Sequence, residues 1–185
     1  MGGFMSSIVI SGDTSGAITL AAPSVAGTNT ATLPAATGTV MVSGNMPAFS
    51  AYNSSSTTLS AGTYTKIGLQ TKTFDTNSYF DNSTNYRFTP LVAGYYQING
   101  GVSTNNPAGA VTAAIYKNGS IYQKGGIIVP QPGTTLAGSV VSGIVYFNGS
   151  TDYVELYGLQ TNGSSQTTNA NSYDTYFNGS MVRTS

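Results

Sequence analysis

The chain has no cysteine, no histidine and no tryptophan, and among its 185 residues only 6 are basic and 6 are acidic. Without cysteine or histidine it lacks a thiol nucleophile, a disulfide, the usual zinc ligands and a proton shuttle at neutral pH. With so few basic residues, balanced by acidic ones, the chain cannot form the basic surface that binds nucleic-acid phosphates. No apolar run approaches the roughly 20 residues of a membrane helix, and the N-terminus lacks the basic region of a secretory signal. We therefore expect neither nucleic-acid binding nor membrane insertion.

The few carboxylates are poorly placed for catalysis. Asp152 and Glu155 are three residues apart in an expected strand, so their side chains point to opposite faces and cannot form a glycosidase pair. Asp75 and Asp81 have the sequence context of turn residues. There is no Asp-rich loop for calcium, no Gly-rich phosphate loop and no nucleophile elbow. The sequence predicts no enzymatic activity, no cofactor and no metal site.

The residues that are abundant are small and polar or aromatic. Gly 23, Ser 23, Thr 26 and Asn 15 make up almost half of the chain, while 39% of the residues are hydrophobic and 11% aromatic. This apolar content is enough to form a core, which argues against intrinsic disorder. The 13 Tyr and 7 Phe exceed what one small sandwich needs inside, so some Tyr rings are expected to face a partner or solvent.

Residues 1–65 contain a single charged side chain, Asp13. Short β-branched runs at 8–10, 18–20 and 40–42 are separated by turn residues, a pattern that predicts short strands. Strands as short as these cannot bury enough apolar surface to be stable by themselves. We therefore expect residues 1–45 to lie on another surface, in the same chain, in sister copies or in a larger assembly.

From Met46 onward the sequence alternates between apolar and polar positions, as in residues 94–99, 111–115 and 153–157. In the last of these runs, Val154 and Leu156 are predicted to face the core and Glu155 the solvent. The pairs at 118–119 and 148–149 are both Asn-Gly, which favours tight hairpin turns. The predicted fold class is all-β, an antiparallel jelly-roll sandwich of about ten strands, preceded by a β-rich N-terminal segment.

The block from Phe74 to Ile98 resembles the signature of the globular head of complement component 1, subcomponent q. Phe88, Gly94 and Tyr96 match it with the right spacing, whereas Ile98 replaces the usual aromatic residue. Residues 47–51, 116–119 and 177–182 follow in the family's order. This family shares its trimeric jelly roll with tumour necrosis factor. The resemblance implies a homotrimer that buries an apolar-aromatic face of each copy along the three-fold axis.

The first 45 residues resemble a segment of bacteriophage virion and tail-fibre proteins that often precedes a C-terminal head. The two resemblances together imply an attachment or trimerisation segment at 1–45 and a jelly-roll head at 46–185. They also imply a location at the virion surface after synthesis in the bacterial cytoplasm. Other virion proteins are then the expected partners of residues 1–45.

Two functions are compatible with a virion surface protein of this organisation. The first is a fibre or spike head that binds a host glycan or protein. Its candidate contacts lie in polar-aromatic loops and are Asn105, Asn106, Gln131, Asn162 and Tyr173. The second is a capsid decoration protein that stabilises the head shell through its N-terminal arm. The short chain favours decoration, because a complete fibre usually needs a longer shaft, and the head domain favours receptor binding.

Overall fold

The computed structural model of the chain describes residues 7–25, 27–32, 35–105, 109–131, 133 and 135–185. The chain divides into two compact units, Met1–Gly38 and Thr39–Ser185. Among the described residues, no helix has the length and apolar character needed to cross a membrane. The assignment of residues 1–45 to an attachment segment and of 46–185 to a head remains a prediction about function.

The first unit contains an antiparallel hairpin of β1 (Ser7–Ser11) and β2 (Ala17–Ala21). Ile8 lies opposite Leu20 and Ile10 lies opposite Ile18, so four aliphatic side chains share one face. These four side chains are 55–68% exposed. The strands predicted at 8–10 and 18–20 are confirmed, and their apolar face is uncovered in the described part of the chain.

The strand predicted at 40–42 is wrong. The backbone there is irregular and leads into a 3-10 helix at Ser43–Asn45. The Asn45 side chain accepts a hydrogen bond from the Val42 N–H at 2.7 Å and donates to the Val40 carbonyl at 3.2 Å. Because one side chain binds the backbone groups that a neighbouring strand would need, the segment turns and does not pair.

The second unit is an antiparallel sandwich of thirteen described strands, five of them only two residues long. The strands are β3 (Ala48–Tyr52), β4 (Thr58–Leu59), β5 (Thr65–Lys66), β6 (Thr71–Asp75), β7 (Phe80–Asp81), β8 (Arg87–Phe88), β9 (Gly94–Asn105), β10 (Val111–Lys117), β11 (Ser120–Lys124), β12 (Leu136–Phe147), β13 (Val154–Gln160), β14 (Gln166–Thr167) and β15 (Tyr176–Thr184).

Two main sheets form the sandwich. The five-stranded sheet has the order β12-β9-β15-β3-β6. The six-stranded sheet has the order β11-β10-β13-β8-β7, and β5 pairs with β13 beside this path. β4 and β14 form a separate two-stranded ladder. Sequence neighbours are often distant in these sheets, so the pairing joins segments far apart in the chain.

The core between the two sheets is rich in aromatic rings. Phe49 stacks on Phe88 with ring centroids 4.2 Å apart and meets the edge of Phe177 at 5.4 Å. Tyr96 and Phe147 contact each other edge to face at 5.0 Å. All five rings are fully buried. Edge-to-face and offset-stacked pairs are the favoured arrangements of buried aromatic rings, so this cluster holds the sheets together.

The Asn-Gly hairpin predicted at 118–119 is confirmed, but the one predicted at 148–149 is wrong, because β12 and β13 belong to different sheets and the chain crosses between the sheets there. Asn118 and Gly119 have φ values of +50° and +79°, which suit the two-residue turn between β10 and β11. At the turn between β12 and β13, the Asn148 Oδ1 accepts hydrogen bonds from the backbone N–H groups of residues 150 to 152 at 2.9–3.1 Å. An asparagine side chain that binds its own turn fixes the turn locally.

Candidate functional site

The pairing of the five-stranded sheet defines two ends of the sandwich. Gly94 pairs with Phe147 and with Thr184, so these residues share one end, called here the proximal end. Asn105 pairs with Leu136 at the opposite, distal end. β3 enters the sheet near the proximal end, because Ala48 pairs with Ser180. The head therefore begins at the proximal end and presents its distal loops on the other side.

The predicted contact residues come from loops at the distal end. Asn105 is exposed at the last position of β9, and Gln131 is exposed in the loop that precedes β12. Asn162 is half-buried just after β13, whose last residue pairs with the first residue of β10. Tyr173 lies three residues before β15 and is 79% exposed. Asn106 lies outside the described residues, and the contact role of all five stays a prediction.

Tyr173 is displayed by a turn that its neighbours fix. The Asn171 Oδ1 accepts hydrogen bonds from the backbone N–H groups of Tyr173 at 3.1 Å and Asp174 at 2.7 Å. The Asp174 carboxylate accepts from the amide groups of Asn171 at 2.6 Å and Asn169 at 3.0 Å. A ring held out by such a turn loses little conformational freedom on binding, which suits a contact residue.

The loop of Asn162 is organised by a buried amide. Gln160 is fully buried, and its Nε2 donates to the carbonyls of Leu59 at 3.0 Å and Ser164 at 2.9 Å. Its Oε1 accepts from the Asn162 N–H at 2.6 Å. The side chain of Gln160 therefore sets the path of the distal loop from the inside, while Asn162 sits on its surface.

A larger surface lies on the outer face of the five-stranded sheet, which is the side turned away from the six-stranded sheet. β12 is apolar on both sides: Val141, Val145 and Phe147 point into the core, whereas Leu136, Val140, Ile144 and Tyr146 point outward and are exposed. A strand that is apolar on both faces is typical of a strand buried on both faces. The outer face is therefore an unpartnered apolar surface of the described head.

The outer face is arranged in cross-strand rows. Near the proximal end, Tyr146 lies opposite Tyr95 with ring centroids 5.3 Å apart, and the Arg183 guanidinium lies 5.7 Å from the Tyr95 ring. Tyr95, Arg183, Ile144 and Val182 line a shallow depression of about 210 Å³. Nearer the distal end, Val140 lies opposite Gly101, which in turn lies opposite Tyr176. A Cβ at Gly101 would lie 2.7 Å from the Tyr176 ring, so glycine lets this ring lie flat on the sheet.

The sequence pointed to this surface only indirectly. The excess of Tyr over the needs of a core predicted rings that face a partner or solvent, and Tyr95 and Tyr146 do so, each 40% exposed. Which apolar residues accompany them was not predicted. The sequence does contain a signal for this surface in residues 136–147. Large apolar side chains occur there at both odd-numbered and even-numbered positions, which indicates a strand that is apolar on both faces.

The carboxylates of the head are used for structure. Asp75 accepts a salt bridge from Lys72 at 3.1 Å, and Asp152 from Lys117 at 3.0 Å. Asp81 accepts hydrogen bonds from the backbone N–H groups of residues 83 to 85 at 2.9–3.0 Å, which hold its pKa far below the usual range. In the described residues, no group of three or more metal-ligating side chains could hold an ion.

The expectation that Glu155 faces the solvent is wrong. Glu155 is 4% exposed, and its carboxylate forms a salt bridge with Lys66 at 3.0 Å. Lys66 belongs to β5, which pairs with β13 beside Glu155. The Tyr157 hydroxyl also donates to the same carboxylate at 3.4 Å, and burial together with this negative charge raises the pKa of Tyr157 to about 12. The short strand β5 therefore covers Glu155, which the alternation of apolar and polar residues in β13 would by itself leave exposed to solvent.

No protein-family model matches the chain, and no curated protein matches it in sequence. The head is similar to solved structures of murine APRIL. The structure at pH 5.0 is 8% identical with a TM-score of 0.59, and the similarity covers 74% of this chain and 99% of that chain. The structure at pH 8.5 is also 8% identical, with a TM-score of 0.56 and the same coverage. Eiger TNF from S. frugiperda is 4% identical with a TM-score of 0.57, covering 76% of this chain and 93% of that chain.

At such low identity the similarity establishes the fold. The head is a tumour-necrosis-factor-like jelly roll. The predicted fold class is confirmed, and so is the structural side of the family resemblance carried by Phe88, Gly94 and Tyr96. Phe88 and Tyr96 are buried in the aromatic core, and Gly94 has a φ of +156° where a Cβ would lie 2.4 Å from the Arg183 carbonyl oxygen. These matching positions therefore reflect packing.

Proposed function

We propose that the chain is a non-enzymatic, homotrimeric protein of the bacteriophage virion surface, whose jelly-roll head binds a host glycan or protein. The observation that carries the proposal is the exposed apolar outer face of the five-stranded sheet in a fold of the tumour-necrosis-factor type. Large exposed apolar patches mark interaction sites. The sequence resemblance implies that this face packs against further copies of the chain.

Low charge supports self-association of this face. Arg183 is the one charged residue in β9, β12 and β15, all of whose residues the structure describes, and the chain has no net charge. Copies can therefore approach without long-range repulsion. A head-to-tail contact between different patches of identical copies closes into a ring when each contact rotates the next copy by a third of a turn.

The N-terminal hairpin supports attachment to another protein of the particle. Ile8, Ile10, Ile18 and Leu20 form an exposed aliphatic face on a two-stranded hairpin, a structure that is at best marginally stable in water without a partner. Its edges carry no charge that would oppose added strands, and β-strand addition is a common way to bind an extended segment.

The distal loops support receptor binding by the head. Asn105, Gln131, Asn162 and Tyr173 offer amide groups and an exposed ring, which suit sugar hydroxyls and the apolar faces of sugar rings. A single site of this kind binds weakly. Three linked copies gain roughly 10²–10⁴ in avidity if they engage the receptor together.

Mass and location together test the proposal. Light scattering on the purified chain should give three times 19.0 kDa, or 57 kDa. An antibody against the head should then label intact particles at the tail tip. A monomer would contradict the trimer. Labelling spread over the capsid would replace receptor binding by the alternative function, a decoration protein that stabilises the shell.

A deletion separates the two parts of the proposal. Without residues 1–38, the second compact unit should still fold and form trimers but should no longer join particles. The matched control is the full chain with Val25→Ala, since Val25 is exposed and lies outside the hairpin. Unfolding of the shortened chain would contradict the division into an attachment segment and a head.

A further inference from the structure

A row of polar side chains crosses the outer face of the five-stranded sheet between its apolar rows. Ser142 on β12 lies opposite Asn99 on β9, which lies opposite Asn178 on β15. Gln97 occupies the next outward position of β9. The three amide side chains are half-buried even in the single chain.

These side chains form one directional chain of hydrogen bonds. The Gln97 Nε2 donates to the Asn99 Oδ1 at 3.1 Å, and the Asn99 Nδ2 donates to the Asn178 Oδ1 at 3.1 Å. Ser142 reinforces the middle, since its hydroxyl donates to the Asn99 Oδ1 at 2.9 Å and accepts from the Gln97 Nε2 at 2.8 Å. Each amide therefore fixes the orientation of the next.

The two ends of this chain are complementary. Within the described residues, the Gln97 Oε1 has no donor and the Asn178 Nδ2 has no acceptor. One end is thus a free acceptor and the other a free donor. Reversing every amide would exchange the two ends without changing this complementarity.

Apolar rows flank the polar row on both sides. Tyr95, Tyr146 and Val182 lie toward the proximal end, and Val140 and Tyr176 lie toward the distal end. If copies pack on this face, the apolar rows exclude water from the polar row between them. A buried amide without a partner is costly, so the free donor and acceptor then need protein partners.

We infer that in the trimer the Asn178 Nδ2 of each copy donates to the Gln97 Oε1 of the next copy, which closes a ring of hydrogen bonds around the three-fold axis. The inference rests on the proposed trimer. Each junction is incomplete in a single chain and needs a residue from a neighbouring copy. A polar layer inside an apolar interface specifies register and the number of copies, as a buried asparagine does in coiled coils.

The change Asn178→Asp tests the ring. It keeps the size of the side chain but replaces the free donor by a carboxylate that meets the acceptor oxygen of the next copy. Arg183 is the one charged residue on β9, β12 and β15, and it lies beside Tyr95, so no cation of these strands neutralises the acid. Ionisation should weaken the trimer by at least about 100-fold between pH 4 and pH 8. Sedimentation at both pH values measures it.

Asn105→Asp is the matched control, because Asn105 is on the neighbouring strand β9 and on the same face of the sheet but exposed at the distal end. It should sediment like the wild-type chain at both pH values. Circular dichroism and a thermal melt at pH 4 show whether Asn178→Asp folds.

A mixing experiment tests the contact between copies directly. Gln97→Lys places three ammonium groups in the ring and should also prevent trimers at neutral pH. When the Gln97→Lys and Asn178→Asp chains are mixed, each mixed trimer has one junction in which an Asp meets a Lys, one with the original Asn and Gln, and only one that stays mismatched, against three in a trimer of either chain alone. Mixed trimers should therefore form in preference to trimers of either variant, and native mass spectrometry should detect them.

The outcomes are distinct. Trimers of the Asn178→Asp chain at pH 4 that dissociate at pH 8, and mixed trimers with Gln97→Lys, support the ring. A wild-type trimer whose Asn178→Asp variant stays trimeric at both pH values refutes the ring and leaves the proposed trimer intact. A wild-type chain that is monomeric refutes both.

Discussion

Replacing Ile144 by glutamate tests whether the outer face of the five-stranded sheet is buried between copies. Ile144 lies in the middle of β12, points away from the core and is 54% exposed in the single chain. Its side chain lines the depression beside Tyr95 and Val182. In an isolated head the new carboxylate would reach water, so the fold itself should tolerate the change.

The expected magnitude follows from the area still exposed. Full burial of an isoleucine side chain is worth about 1.5–3 kcal/mol, so burial of the remaining half in an interface contributes about 1 kcal/mol per copy. Three copies lose about 3 kcal/mol of apolar contact, which weakens assembly about 100-fold. The desolvation of three carboxylates adds several kcal/mol to the cost. The variant should therefore be monomeric at micromolar concentration.

Sedimentation and a thermal melt provide the assay, and Leu91→Glu provides the control. Leu91 is similarly exposed, at 59%, but it lines a depression with Tyr79 and Arg87 beside β7 and β8. The control should remain trimeric. If Ile144→Glu stays trimeric, or if both variants dissociate equally, the outer face is not the interface and the reasoning fails.

Three further outcomes are expected. Asn53→Ala should lower the free energy of unfolding by about 2–4 kcal/mol in a denaturant titration, because the Thr168 hydroxyl and the Gly68 carbonyl each lose a buried partner. Asp81→Asn should reduce stability at neutral pH and flatten its acid dependence; the pKa of Asp81 is lowered in the fold, so its contribution is complete above about pH 4 and declines as the pH falls further. Tyr173→Ala should reduce binding to host cells about tenfold or more without changing the melting temperature.

A specific result would contradict each of these three predictions. An exposed change such as Asn105→Ala should leave stability unchanged, and a loss as large as that of Asn53→Ala would show that the buried network is not responsible. An acid titration that is the same with and without the Asp81 carboxylate would contradict its role in the turn. Normal adsorption by the Tyr173→Ala particle would remove this ring from the receptor site.

Among the described residues of the head, three salt bridges use half of the chain's six basic side chains. Lys66, Lys72 and Lys117 each reach a carboxylate at 3.0–3.1 Å, and all three carboxylates are largely buried. Removal of one partner would leave an uncompensated buried charge, which is more costly than the pair is stabilising. These charges therefore hold strands and turns of the head together.

Much of the fold could be predicted from the sequence, because its signals are local. The period-two alternation at 94–99 and 153–157 predicted strands, and the Asn-Gly pair at 118–119 predicted a hairpin turn. The absence of cysteine and histidine, together with only six carboxylates, predicted a binding surface in place of a catalytic site. These properties depend on composition and on neighbours within a few residues.

The rest was decided by pairing over long distances in the chain. Glu155 is buried because β5, almost ninety residues earlier, covers it with Lys66. The distal loops lie at the same end of the sandwich because β9, β12 and β15 pair in a fixed register. The same register aligns Ser142, Asn99 and Asn178 in one row. Local alternation tells which residues share a face, but which face is covered depends on strands that only the tertiary structure brings together.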